Sequence, residues 1–406
     1  MQPQVPSTVQ LVRAYGRIGL LGFGGPAAQT ALLSRVVVEE QGWLDARRFA
    51  DGLALCSVLP GPEAMQLAVW SGWRVAGARG AWIAGSLFVL PGAVLVWGLA
   101  VLYAQWGAMP ASAPWLAALR CAVVCLVVSA LVRLAPRVLL TWREALLAGA
   151  ASVWLWLSPS ATAVPMALFA GALLASVWLR QSSEVPAPAP TDRSPQWWSL
   201  SLVAVAWLVP LLVVMYGWVA VWSPLQEVTL QEVTLLIAQL ATVGFGGAYT
   251  MVAWFGDSAQ HHGWLTARTV VDGLGLAETT PGPLVLVLPW YAFQAVPSHA
   301  SVAYWLSVWV LFVPSALWVL AASHPWSLLR HHPKWQAAFA GLRAVSMAAI
   351  AVLGLQVAVP TFDHDWASVG ICVLVCATMW WWPRLQSPLW VLALCLVARG
   401  GWGWLA

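Results

Sequence analysis

The chain of 406 residues is very apolar, with 61% hydrophobic and only 8% charged residues. An average soluble domain carries about 25% charged residues, so the composition excludes an ordinary soluble protein. The formal net charge of +4 includes no basic run suited to nucleic acid, so we expect no nucleic-acid partner. Uncharged stretches such as 80–109 and 197–225 reach the roughly 20 apolar residues needed to cross a bilayer as helix. The sequence predicts an all-α, polytopic membrane protein in contact with lipid.

In chain order, the first elements are four short helical segments that meet in pairs. The first pair meets at Gly-Phe-Gly-Gly (22–25) and the second at Pro-Gly-Pro (60–62). The first two segments are each about 18–20 Å long as helix, too short to cross a core of about 30 Å. We expect each pair to be a re-entrant hairpin with its tip near the midplane. The four segments are Val9–Leu21, Ala27–Val38, Asp51–Leu59 and Glu63–Ala76.

Longer apolar segments follow and predict membrane spans. A stretch rich in Pro, Ala and Ser, 181–196, reads as a linker between two membrane halves. We therefore divide the chain into an N-terminal transporter repeat (1–180), a linker with a connecting span (181–225) and a C-terminal repeat (226–406). The predicted spans are 80–105, 115–133, 144–158, 162–180, 197–222, 301–323, 336–358, 366–382 and 388–404.

Four motifs of the first half return in the second half in the same order. The offset is 222 residues for Gly-Phe-Gly-Gly and 221 for Gly-Trp-Leu-(Asp/Thr)-Ala-Arg, Asp-Gly-Leu and Pro-Gly-Pro. In so apolar a chain, an internal repeat is typical of transporters whose two halves build one site at the bilayer midplane. The second copies lie at 244–247, 263–268, 272–274 and 281–283.

Loop arginines predict the orientation, because cytoplasmic loops are enriched in Arg and Lys. The basic junctions of the first half, at Arg74/Arg79, Arg133/Arg137/Arg143 and Arg180/Arg193, are assigned to the cytoplasm. This places the N-terminus and the linker in the cytoplasm and the C-terminus outside, in a bacterial inner membrane. The two repeats then run in opposite senses, an inverted arrangement. Arg268 and Arg399 count against this orientation.

The tips have the chemistry of an anion site. Free N–H groups at a helix N-terminus, together with the helix dipole, attract negative charge, and glycine lets backbone approach a ligand closely. The alternative is that Gly and Pro only kink spans or permit close helix packing. The predicted tip residues are Gly22, Phe23, Gly24, Gly25, Pro60, Gly61, Pro62, Gln66, Gly244, Phe245, Gly246, Gly247, Thr279, Thr280, Pro281, Gly282 and Pro283.

Charged residues within apolar segments complete the predicted site. Arg120 and Arg343 are 223 residues apart, so they are repeat mates, and a guanidinium fork suits a tetrahedral oxyanion. The alternative is that both side chains extend to the membrane interface. Four further residues are candidates for ion coupling or charge pairing: Glu63, Glu278, Arg13 and Arg17.

The motifs resemble the chromate ion transporter family in its long, two-domain form. The resemblance rests on Gly-Phe-Gly-Gly-Pro (22–26), Trp43-Leu44, Leu55-Cys56 before Pro-Gly-Pro, 72–77 and 88–91, and on 244–247 and 278–283 in the second half. Glu63 and Ala248 depart from the pattern, because a neutral polar residue and a proline are expected there. The resemblance implies a basic residue at Arg120 and export of chromate, with sulfate as a competing or alternative substrate.

The expected function is therefore a secondary transporter that exports chromate and confers chromate resistance. Transport of sulfate or another oxyanion is the alternative, since the same site would serve it. A membrane-embedded enzyme or a channel is less favoured, because no nucleophile–base set, phosphate loop or redox motif is present. We expect no cofactor and no metal, and the sequence leaves room for a homodimer.

Overall fold

A computed structural model describes most of the chain. In the described part, helices are joined by short turns. The described residues are 6–23, 25–107, 109, 113–158, 160, 162–179, 197–212, 230–323, 326, 332–362, 366–381 and 387–403. They contain no β-strand, which confirms the all-α prediction.

The first half consists of seven helices, followed by a connecting helix. Local sequence starts several of them: Ser7 caps α1 in a capping box with Gln10, and the Asp45 side chain accepts from the backbone of Arg48 at the start of α3. The helices are α1 (Thr8–Leu21), α2 (Gly25–Ser34, continued by a π-helical turn, Arg35–Glu40), α3 (Ala46–Cys56), α4 (Glu63–Trp106), α5 (Ala113–Val138), α6 (Trp142–Leu157), α7 (Ala163–Trp178) and α8 (Trp197–Leu212).

The second half has its repeated motifs at the same helix junctions as the first. Thr266 caps α11 as Asp45 caps α3, because both follow the Gly-Trp-Leu motif. The helices are α9 (Leu230–Val243), α10 (Ala248–His261), α11 (Ala267–Glu278), α12 (Val287–Ala295, preceded by a 3₁₀ turn, Leu284–Leu286), α13 (Ala300–Ala322, preceded by a 3₁₀ turn, Pro297–His299), α14 (Pro333–Phe362), α15 (Trp366–Trp381) and α16 (Pro388–Gly403).

Four described helices are long and apolar enough to cross a membrane: 63–106, 113–138, 297–322 and 333–359. The segments predicted as spans at 144–158, 162–180, 366–382 and 388–404 form helices of 16 residues each, about 24 Å long. Three of them are one to three residues shorter than the predicted spans, and α6 is one residue longer. The predicted span 197–222 is described only as far as Leu212.

Helix α4 joins two segments that the sequence separates. It contains both the arm predicted at Glu63–Ala76 and the span predicted at 80–105, so it is 44 residues long. Helical geometry is lost between them at Ala76 and Gly77, where Gly77 has φ 66°. The kink therefore occurs at the predicted boundary, although the chain continues as helix on both sides.

Helix α14 lies at the centre of the fold and packs on α5, α6 and α7 of the first half. Small residues allow its close approach to α7: a Cβ on Gly341 would lie 2.4 Å from the carbonyl oxygen of Gly171. This packing brings residues of α5 and α14 to opposite walls of one cavity.

Candidate functional site

The four glycine and proline tips meet in two crossed pairs. The N–H of Gly61 donates to the carbonyl of Gly244 at 3.0 Å, and the N–H of Gly282 donates to the carbonyl of Gly22 at 3.2 Å. In each pair a Pro-Gly-Pro of one half contacts the Gly-Phe-Gly-Gly of the other half. The two bonds join equivalent positions, so both halves contribute equally to the junction.

Glycine is required at these junctions for conformation and for space. Gly61 and Gly282 have φ of 111° and 101°, a region that strains any residue with a side chain. A Cβ on Gly61 would lie 2.4 Å from Oγ of Ser315. A Cβ on Gly282 would lie 3.1 Å from Cα of Gly92 in α4. The tips can therefore come this close only because these residues lack side chains.

Two buried glutamines hold the tips in place. Gln29 Nε2 donates to the carbonyls of Gly22 and Gly282, which belong to different halves. Gln66 Nε2 donates to the carbonyl of Pro60 at 2.6 Å within its own tip. Gln29 is 1% exposed and Gln66 is fully buried, so these bonds form away from competing water.

A cavity of about 410 Å³ lies beside the crossed tips, between α3, α5 and α14. Its walls include backbone of both halves at Gly25, Gly61, Gly246 and Gly247. Because a water molecule takes roughly 30 Å³ of liquid volume, the cavity has room for a small anion with part of its hydration shell.

Three arginines line this cavity: Arg133 and Arg137 on α5, and Arg343 on α14. None of them forms an ion pair or a hydrogen bond with any residue that the structure describes. The Nε of Arg343 is buried and has no partner among those residues. Guanidinium groups left without a carboxylate, side by side in one cavity, form a site suited to an oxyanion.

Two glutamates also line the cavity, and they differ in their contacts. Glu278, at the end of α11, is 4% exposed and accepts a hydrogen bond from the Tyr249 hydroxyl. Glu63, in the first turn of α4, is half-buried and has no hydrogen-bond partner among the described residues. Glu63 and Glu278 are not repeat mates, so the carboxylates make the site asymmetric.

Arg120 does not line the cavity. Its Nε lies 2.6 Å from Oδ1 of Asp272 and its second nitrogen 2.9 Å from Oδ2, a two-pronged pair across the two halves. The Tyr103 hydroxyl donates to the same Oδ2 at 2.9 Å, and Asp272 is only 1% exposed. The guanidinium of Arg120 is thus paired, whereas that of its repeat mate Arg343 has no ion-pair partner in the part of the chain that the structure describes.

The other predicted residues that the structure describes are not part of the cavity wall. The hydroxyls of Thr279 and Thr280 donate to carbonyls of α11, and Arg13 and Arg17 are exposed on α1, where Arg17 pairs with Glu40 at 2.7 Å. Gly24 lies outside the described residues. The others next to the junction are Gly22, Phe23, Pro60, Pro62, Gln66, Gly244, Phe245, Pro281, Gly282 and Pro283.

Sequence reasoning missed four residues of this region: Gln29, Arg133, Arg137 and Tyr249. Arg133 and Arg137 were assigned to a basic cytoplasmic junction, yet their i, i+4 spacing puts both on one face of α5. Tyr249 and Gln29 each follow a Gly-Phe-Gly-Gly motif within a few residues. Position relative to the tips was therefore the signal that could have found them.

The glycines on the cavity wall allow a matched test. A Cβ on Gly246 would lie 1.8 Å from Oγ and 2.1 Å from Cβ of Ser346, whereas one on Gly247 would meet nothing within 4 Å. Both have positive φ, 90° at Gly246 and 83° at Gly247, which costs about 1–3 kcal/mol for alanine. We expect Gly247→Ala to retain most transport and Gly246→Ala to lose it, measured in vesicles at equal protein amount. Equal activity of the two variants would contradict the close contact with Ser346.

Comparison with known proteins identifies the family of this chain. The sequence profile described as "Chromate transporter" matches residues 9–177 and again residues 231–400. The chain belongs to the chromate transporter family. Its members are membrane transporters, so an enzyme is excluded, and each matched segment contains one full set of the tip motifs.

Individual relatives agree with this assignment. The chain is 31% identical to the chromate transport protein of Pseudomonas aeruginosa, over 76% of this chain and 71% of that protein. It is 25% identical to the probable chromate transport protein of Synechococcus elongatus, over 97% of this chain and 95% of that protein. The chromate transport protein of Cupriavidus metallidurans is 26% identical over 70% of this chain and 67% of its own length. No solved structure matches the chain.

Proposed function

We propose that this transporter exports chromate from the cytoplasm across a bacterial inner membrane and thereby confers chromate resistance. The observation that carries the proposal is the cavity beside the crossed tips, where Arg133, Arg137 and Arg343 have no ion-pair partner among the described residues. A tetrahedral dianion would satisfy several guanidinium donors at once. The names of the related proteins supply chromate as the substrate.

The energetics favour export. In a cell that is negative inside, the membrane potential drives a dianion outward by roughly 4–5 kcal/mol per 100 mV if no other ion is coupled. Arg133 and Arg137 lie near the end of α5 that the arginine bias assigns to the cytoplasm. The cavity would then face the side from which an exporter takes its substrate.

The direct test is uptake of labelled chromate into everted vesicles, which an exporter fills. We expect uptake that depends on expression of the transporter and that unlabelled chromate suppresses. Sulfate is the alternative substrate, because it has the same shape and charge. Suppression by sulfate at lower concentrations than by chromate would make this a sulfate transporter, and no uptake of either anion would refute the proposal.

The proposed architecture is a pair of inverted repeats, each with two re-entrant hairpins. The crossed bonds Gly61–Gly244 and Gly282–Gly22 support it, since a two-fold relation between halves would produce such matched contacts. Non-helical backbone at the tips is acceptable at membrane depth because it is buried in protein or lines the cavity.

Cysteine labelling tests the inversion. We expect Arg79→Cys and Ala300→Cys, at matching places in the two halves, to react with an impermeant reagent from opposite sides of the membrane. The parent chain is the control, because five of its six cysteines are buried and Cys376 is half-buried. Labelling of both variants from the same side would mean that the repeats are parallel.

Glu63 is expected to weaken anion binding, because its carboxylate lines the cavity with no hydrogen-bond partner among the described residues. At an effective dielectric of about 20, a unit charge and a dianion roughly 10 Å apart repel each other by about 3 kcal/mol, so removing the Glu63 charge should tighten binding by about 100-fold or more. We therefore expect Glu63→Gln to lower the chromate concentration for half-maximal uptake. Glu39→Gln, an exposed carboxylate on the π-helical turn, is the control. A higher half-maximal concentration in Glu63→Gln would assign Glu63 to cation coupling or substrate binding instead.

A further inference from the structure

One interface between the halves is closed and its repeat mate is open. The closed interface lies between α11 and α5, where Arg120 is paired with Asp272. The two helices touch beside this pair: a Cβ on Gly275 would lie 2.5 Å from Cγ of Leu119 and 2.8 Å from Cγ2 of Val123. The contact closes the interface at Gly275, and Asp272 occupies two nitrogens of the Arg120 guanidinium, whose side chain is 20% exposed.

The equivalent interface lies between α3 and α14. Asp51 and Ala54 on α3 match Asp272 and Gly275 at an offset of 221, and Arg343 on α14 matches Arg120 at an offset of 223. Here the surroundings differ, because Ala54 is exposed while Gly275 is buried.

The cavity is what separates these two helices. Cys56 and Ser57 from the end of α3 form part of its wall, and Arg343, Ser346 and Met347 of α14 form another part. Arg343 makes no ion pair with a described residue, so its fork is available to an anion. The same pair of structural elements therefore exists in two arrangements within one molecule.

We infer that the transporter has a second anion site at the interface of α5 and α11, formed by Arg120 when that interface opens. It opens as α3 closes on α14 and Arg343 pairs with Asp51. Each arginine thus binds either the substrate or the aspartate of the other repeat. The inference rests on the proposed function and assigns the pairs Arg120–Asp272 and Arg343–Asp51 as its two gates.

The exchange explains how a dianion leaves one arginine for the other. As Asp51 approaches Arg343, its carboxylate takes the donors that held the anion, and the departure of Asp272 frees the donors of Arg120. Each state keeps one Arg–Asp pair between the repeats, so the energies of the two states can be close enough for alternating access. The pairs are not identical, because the Tyr103 hydroxyl donates to Asp272 and the matching positions 324–326 hold no tyrosine.

Cross-linking tests the state that the structure does not show. The pair Ala54→Cys with Leu342→Cys is the repeat mate of the contact between Gly275 and Leu119. A protease site inserted into 181–196 separates the halves after oxidation with copper phenanthroline in membranes. We expect oxidation to link the halves and abolish chromate uptake, and a reductant to restore it. The pair Ala54→Cys with Ser346→Cys is the repeat mate of the contact between Gly275 and Val123. It should link and lose uptake in the same way as the pair at Ala54 and Leu342.

Control pairs distinguish closure of the interface from random encounters between two thiols. Leu119→Cys with Gly275→Cys reports the closed interface and should link readily. Ala54→Cys with Leu355→Cys places the second thiol on an exposed face of α14, because Leu355 is 52% exposed, and this pair should stay unlinked. The transporter without cysteine substitutions should also stay unlinked. The inference is overturned if only the closed pair links, or if the Leu355 pair links as well as the Leu342 pair. If the cysteine pairs cross-link as expected but the transporter without cysteine substitutions takes up no chromate, the proposed substrate is refuted and the two proposed gates are not.

Discussion

Replacing Arg343 by alanine should reduce chromate uptake into everted vesicles by about 10–100-fold, the effect of losing a hydrogen bond to a charged group worth about 1.5–3 kcal/mol. Arg343 lines the cavity and has no ion-pair partner among the described residues, so its donors are available to substrate. The loss should persist at equal amounts of folded protein, because the buried Glu144 carboxylate keeps its hydrogen bonds from the backbone N–H groups of Leu140 and Thr141 when Arg343 is removed.

Two matched variants sharpen this prediction. Arg343→Lys keeps the charge but not the planar fork, so we expect partial activity with weaker chromate binding. Arg35 has an exposed side chain that pairs with Glu40 at 3.1 Å, outside the cavity. The Arg35→Ala variant should therefore transport chromate normally. Undiminished uptake by Arg343→Ala would remove Arg343 from the binding site.

Replacing Arg120 by alanine should destabilise the transporter by about 3–5 kcal/mol, the usual cost of breaking a buried ion pair from one side. Asp272 is 1% exposed and, among the described residues, would keep the hydrogen bond from Tyr103 alone. Thermal unfolding in detergent measures the effect, and we expect a marked fall in the midpoint together with less protein in the membrane.

A double variant separates stability from transport. In Arg120→Met with Asp272→Leu no charge is left unpaired, so most of the lost stability should return. Transport should stay lost if Arg120 also binds substrate, as its fork geometry and repeat position predict. A double variant that is both stable and fully active would limit Arg120 to a structural role.

Local features of the sequence were sufficient to place the tips. Gly61 and Gly282 need positive φ, and proline starts the helix that follows, so both motifs fix chain turns wherever the rest of the protein lies. Low charge and long apolar runs likewise determine a helical membrane protein. Element boundaries were less accurate, as α4 shows by continuing through its kink at Gly77.

The roles of the arginines depend on contacts between distant segments. Arg120 and Arg343 are equivalent in sequence, yet one faces Asp272, 152 residues away, and the other faces a cavity. Arg133 and Arg137 join the site only because α14 packs against α5. No local pattern encodes such pairings, since each requires two elements to meet.

The sequence by itself thus determined the class, the repeat and the position of each tip, because backbone geometry and hydrophobicity act over a few residues. The tertiary structure alone decided which tips bond across the halves and which arginines have no ion-pair partner among the described residues. It also decided that one interface is closed and its mate open. Two identical motifs can differ in this way because packing, unlike local sequence, holds the halves in unequal positions.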